Sequence, residues 1–379
     1  MSQQPWGNPT QNAPSWPQPP QGNPYRTPAQ SGFSGWGPPP APRGYQQSPY
    51  GPGFGAPPPG MTPYGRPPRR RRSPLGALLR AAFVLGLLLL AGTVVSNLAS
   101  SSSSSTSSSS GGAYQNDDYQ VPPPDANPPA LPQPETYAEA ETLLTANPFY
   151  REDAPIPVRC EQDAINLETA SDAKLKTHFE DLMACLVRVW EPPVTAAGDQ
   201  IVRPTVTIYS DEITTRCGKS GVNAFYCGAD QQVYYSSELD DAVPIVATNR
   251  WAADVVMAHE FGHALQARTG ILISEAALSQ QTDDESEQLD LSRRLETQAD
   301  CLSGMFLHST SQSLGIQQSD VRGILNVYNA VGDDTLSGKS NIEGNHGLGR
   351  NREAWGNTGL GSSAVSACNT FTARASTVR

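Results

Sequence analysis

The sequence predicts an α+β protein, mostly helical with a small sheet, set behind a disordered tail and one membrane-length apolar segment. Three observations carry that expectation. Long apolar-periodic stretches end in the residues that stop helices, two short runs read as strands, and the first part of the chain has no apolar periodicity.

Residues 1–72 are dominated by Pro, Gly, Gln and Ser with scattered Tyr and Trp. Such a composition buries too little surface to offset chain entropy, so this tail is expected to be disordered, a solvated spacer whose Pro runs could also engage a cytoplasmic partner. Residues 1–80 hold eight Arg and no Asp, Glu or Lys, so a total charge of −11 leaves −19 on the remainder. After Arg69-Arg70-Arg71-Arg72, the apolar run from Leu75 to Val95 is 21 residues long and has Arg80 as its one charge. About 20 residues cross a bilayer, and an Arg near the start can reach the headgroups. A cleaved signal peptide has a far shorter leading region, so an uncleaved transmembrane helix over 75–96 is expected. Basic residues stay cytoplasmic. The expectation is a single-pass cell-membrane protein, N-terminus inside and folded domain outside. Positive charge is confined to the tail, where membrane orientation explains it, so no nucleic-acid binding is expected.

Residues 97–133 read as a linker, Ser-rich and flexible, then Pro-rich and semi-extended. The folded domain is expected over 134–379, long enough for one core or two lobes. Glu135 to Ala146 reads as a short helix stopped by Asn147-Pro148. Ser171 can cap a helix with an apolar stripe at Leu175, Phe179, Leu182, Met183 and Leu186, ending before Pro192-Pro193. Val206 to Tyr209 and Gln232 to Ser236 read as strands. A helix from about Trp251 to Arg268 stops at Gly270, another runs from about Glu285 to His308, and a last one follows Gln318 or Ser319 to about Ala330. All six cysteines follow the membrane segment, on the side where disulfides persist. Six thiols allow too many pairings for the sequence to choose among them. Cys217 with Cys227 would close a small loop, Cys301 with Cys368 would tie a helix to the C-terminus, and Cys160 with Cys185 is the remainder.

The chemistry lies in His259-Glu260-Phe261-Gly262-His263. Residues four apart in a helix stand one above the other, about 6 Å along the axis. Both imidazoles can then reach one zinc ion, and Glu260 can reach a water on it. On the second helical stretch Glu296 and Asp300 are also four apart. Two His ligands need a third and an open position for water: Glu296 suits the third ligand, and Asp300, one turn on, could take the free ring N–H of a bound His.

These residues resemble a known family, the bacterial membrane-anchored "putative neutral zinc metallopeptidase" family. The resemblance runs through Cys217-Gly218, Phe225-Tyr226-Cys227, Ala229-Asp230-Gln231 and Val233-Tyr234. It continues through Ala258 to His263 with Gln266, then Leu295-Glu296, Gln298 to Cys301 and Gly304. It closes on His346-Gly347, Arg352, Trp355 and Cys368-Asn369-Thr370-Phe371. The chain departs from that pattern at Ala264, Gly228 and Leu348-Gly349. The resemblance implies a zincin-like fold, His259, His263 and Glu296 as ligands of one zinc, and Glu260 as catalytic base. In zincin-like enzymes an edge strand beside the motif helix holds the peptide by strand addition, and Ala229 to Ser237 is the candidate here.

The reaction expected is hydrolysis of a peptide bond in a peptide or protein substrate, with Glu260 moving the proton. The oxyanion needs a further donor. His346 is preferred, with Arg352 and Tyr226 as the other oxyanion or substrate contacts. His178 and His308 have no such company and are expected to be structural or exposed. Two rival classes remain: a metal-binding surface interaction protein without activity, and a non-peptidase hydrolase. Glu260 separates peptidase from binding protein, because a binding protein needs no base there.

Overall fold

A computed structural model describes residues 114–162 and 165–379. The disordered tail, the transmembrane segment and the start of the linker lie outside the described residues. Among the described residues no helix is long and apolar enough to cross a membrane.

Tyr114 to Pro134 is extended, as its Pro content leads one to expect, and it is bound to the domain along its length. Gln115 N–H donates to Pro157 O at 2.8 Å, Asp125 N–H to Arg203 O at 2.9 Å, and Pro129 O accepts from Gln231 and Arg268. Helix α1 (Tyr137–Thr145) follows, its Thr136 Oγ1 accepting the Glu139 N–H at 3.1 Å. Helix α2 (Asp172–Ala196) buries the expected stripe. It does not stop at Pro192-Pro193 but runs through both. Proline at 192 withholds the N–H that Arg188 O would normally accept, and Asn116 Nδ2 donates to that oxygen at 2.7 Å instead.

The sheet is larger than the two strands read from the sequence. Strands β1 (Val206–Tyr209), β2 (Ile213–Thr215), β3 (Gly218–Ser220), β4 (Ala224–Cys227) and β5 (Gln232–Ser236) form a three-stranded sheet, order β1-β5-β4, and a β2–β3 hairpin. β5 lies parallel to β1 and antiparallel to β4. The segment Ala229–Ser237 is therefore not an edge. Its strand is central, bonded on both sides, and cannot accept a peptide. The edge beside the motif helix is β4, too short to show a period.

Helix α3 (Ala252–Arg268) is buried at every residue, so it has no polar face and forms the axis of the domain. Gly270 ends this region in the left-handed conformation, φ 76°. Helix α4 (Ile271–Gln281) was not read from the sequence, where the chain offers no strong start signal. Helix α5 (Glu285–Leu314) is capped by Asp284 and passes His308 to end at Gly315, φ 66°. Helix α6 (Gln318–Ala330) is not the last. A short turn at Asp333–Ser337 and helix α7 (Gly349–Leu360) follow. Gly359 makes α7 possible where it lies, since a Cβ there would run into the Cys301 carbonyl of α5. Disulfides join Cys160–Cys185, Cys217–Cys227 and Cys301–Cys368, the pairing set out from the sequence.

Candidate metal centre

Two helices meet closely enough to merge their polar groups. A Cβ on Gly262 of α3 would stand 3.0 Å from Ala299 Cα of α5, so backbone faces backbone at the crossing. This approach brings Glu296 Oε2 within 3.3 Å of His259 Nε2 and Glu296 Oε1 within 3.6 Å of His263 Nε2. Gly262→Ala is expected to force the helices apart by a few tenths of an ångström. Overpacking of about 1–3 kcal/mol outweighs the better helix propensity of Ala, so unfolding should come earlier in denaturant and zinc affinity should fall. Unchanged stability and zinc affinity would mean that the crossing does not set the site.

His259, His263 and Glu296 are all buried, and their ligating atoms lie within 4.8 Å of one another. The tautomers follow from the partners. His259 Nδ1–H donates to Asp300 Oδ1 at 2.8 Å, and His263 Nδ1–H donates to Gln266 Oε1 at 2.8 Å. Gln266 Nε2 donates to Leu295 O at 2.8 Å, which fixes which end of that amide accepts. With the Nδ1 side of each ring taken, the two Nε2 atoms lie 3.2 Å apart with a carboxylate beside them. Deprotonated at Nε2, the two rings and the carboxylate form a donor set that could hold a cation. Glu296 Oε2 and Glu260 Oε1 are buried without a hydrogen-bond partner, as a cation and its water would require. The donor set of two imidazoles and one carboxylate suits zinc.

Glu260 Oε2 accepts the Tyr226 main-chain N–H at 2.8 Å. Burial pushes the Glu260 carboxyl well above the usual carboxylate range, although His259 opposes it. Tyr226 thus touches the site through its backbone. Its phenol is buried in the core, where Arg268 and Asp230 act on it, and it is not the substrate contact that the sequence offered. Arg352 is also displaced from that role. It is fully buried, with Nε and Nη2 donating to the two Asp300 oxygens at 2.8 and 2.9 Å. The pair holds Asp300 ionised against burial.

His346 comes to the other side of Glu296, whose charge acts on it. Asp333 lies 3.4 Å from His346 Nδ1 and accepts the N–H groups of His346 and Gly347 at 3.1 and 2.9 Å. Burial pushes the imidazole down, but Glu296 and Asp333 together leave it above the ordinary histidine value. Gln266, Asp333 and Glu275 were not read as site residues from the sequence. Gln266 had a signal, one turn beyond His263 on the same face. Asp333 had none, because a folded loop brings it to His346. Glu275, on α4, is half-buried, and burial followed by the Glu296 charge pushes it up to about 7. His178 is structural, with Nε2 2.8 Å from Asp254 Oδ1.

Fold and donor set define a mostly helical protein with an internal group of two histidines and a glutamate that could hold a metal ion. Residues 150–371 match the protein-family model described as "Putative neutral zinc metallopeptidase", and the chain belongs to that family. Among its relatives, the uncharacterized protein YpfJ of Escherichia coli K12 is 30% identical over 224 residues, which cover 57% of this chain and 77% of YpfJ. The uncharacterized protein Rv2575 of Mycobacterium tuberculosis H37Rv is 28% identical over 208 residues, 49% of this chain and 67% of Rv2575. No solved structure matches the chain.

Proposed function

We propose that this chain is a membrane-anchored, zinc-dependent peptidase that hydrolyses peptide bonds outside the cytoplasm, with Glu260 as general base. The observation that carries the reading is the convergence of His259 Nε2, His263 Nε2 and Glu296 beside the unpartnered Glu260 Oε1. Zinc, when bound, supplies a Lewis acid that polarises the scissile carbonyl and acidifies water. Glu260 Oε1 takes the proton of the attacking water and passes it to the leaving nitrogen. Tyr226 N–H holds the other oxygen and so aims the carboxylate.

The β4 register turns the main-chain groups of Ala224 and Tyr226 away from β5 and towards α3, where the Tyr226 N–H is taken by Glu260. His346, braced by Asp333, is the donor to the oxyanion. His346→Ala is expected to lower kcat about 10²–10³-fold at unchanged zinc content. An unaltered kcat would give the donor role to another group.

The apolar run from Leu75 to Val95 and the Arg cluster before it support the extracytoplasmic placement, as do three disulfides in the domain. Metal analysis of the purified full-length chain, together with cleavage of a generic protein substrate, tests the reading. About one zinc per chain and chelator-sensitive cleavage are expected. Bound zinc with no cleavage of any peptide would favour a surface interaction protein instead.

A further inference from the structure

The guanidinium of Arg352 meets both sides of the site. On one side its Nε and Nη2 grip Asp300, which holds the Nδ1–H of His259. On the other side Nη1 donates to Val331 O at 2.9 Å, two residues before Asp333. Asp333 in turn holds the main chain and ring of His346. Arg352 itself stands in the first turn of α7, the helix into which the His346 loop leads, with its own N–H on Leu348 O at 3.1 Å. A planar fork with donors in several fixed directions can brace two such carriers at once. An ammonium, a single point of charge, cannot do so with the same directions.

We propose that Arg352 is the positioning residue that keeps the His346 side of the cleft in register with the metal-ligand side. It acts through Asp300 and through Val331 and Asp333, and its own side chain is fully buried, with Nη2 3.9 Å from Glu296 Oε2. The inference rests on the oxyanion role given to His346 above. A donor to an oxyanion must stand within a few tenths of an ångström of its place, so a small shift of His346 costs rate without releasing metal.

Four full-length chains test this: wild type, Arg352→Lys, His346→Ala and the double variant. Each is assayed for zinc content, thermal unfolding, kcat and KM. Lys keeps a positive charge against Asp300 but loses the reach to Val331 O. Arg352→Lys is expected to retain its zinc and lose about 10²-fold in kcat with little change in KM. Against the His346→Ala background the same change should cost less than about threefold, because the group it positions is already gone. Losses that multiply would overturn the proposal. So would zinc loss in Arg352→Lys as severe as that in Glu296→Ala, which would assign Arg352 to the metal side alone. Full kcat in Arg352→Lys beside an impaired His346→Ala overturns this inference only. Full kcat in His346→Ala overturns the oxyanion role and this inference with it. Should Arg352→Lys fail to fold, Arg352→Gln takes its place, and the same non-additivity with His346→Ala at retained zinc is required.

Discussion

Glu260→Gln is expected to lower kcat about 10²–10⁴-fold while zinc stays bound at its normal level. The side chain keeps its shape and can still take the Tyr226 N–H through the amide oxygen, so the local fold survives. What it loses is the basic oxygen, Oε1, which is buried and unpartnered beside the ligands. Retention of metal is part of the prediction, because Glu260 is not among the three groups that converge on the ion. Metal analysis and steady-state kinetics on one preparation check both halves. Cleavage unaffected by the substitution would sink the general-base mechanism, whatever the zinc content.

Glu296→Ala carries the second large effect, and it is an effect on metal. Loss of an orienting partner such as Asp300 typically weakens a site about 10–100-fold. Loss of Glu296 removes the only anionic ligand of the three and is expected to exceed that range. It leaves two imidazole nitrogens 3.2 Å apart with no carboxylate between them and the ion. A ligand at a thousand times its dissociation constant stabilises a fold by about 4 kcal/mol, so the variant should also lose the rise in Tm that zinc gives the wild type. Chelator competition and thermal unfolding with and without zinc read the two consequences. Unchanged zinc affinity would transfer the third-ligand role to Asp300 or another group.

Much of this site was legible before any fold was known, and the reason is periodicity. His259 with His263, and Glu296 with Asp300, are each spaced by one helical turn, so each pair shares a face wherever its helix lies. Gly270 punctuates the motif helix in the conformation only glycine adopts easily, whereas the second helix passes His308, read as its end, to stop at Gly315. Where local rules misled, a distant partner had intervened. Pro192-Pro193 should have ended α2, but Asn116, far back in the chain, supplies a donor for the stranded Arg188 carbonyl.

The edge strand was misassigned for a similar reason. Ala229–Ser237 has the composition of a strand, but composition cannot say which of three strands lies outside. Pairing across the sheet decides that, and it places β5 between β1 and β4.

Residue order along the chain offered the ligand candidates, the proposed base and the helices that bear them, because the spacing within each helix depends on contacts no more than a turn apart. Folding in three dimensions assigned the remaining roles. It moved Arg352 from the cleft to the back of Asp300, turned the Tyr226 phenol into the core while leaving its N–H on Glu260, and brought Asp333 to His346. Each of those is a meeting of segments that nothing local brings together.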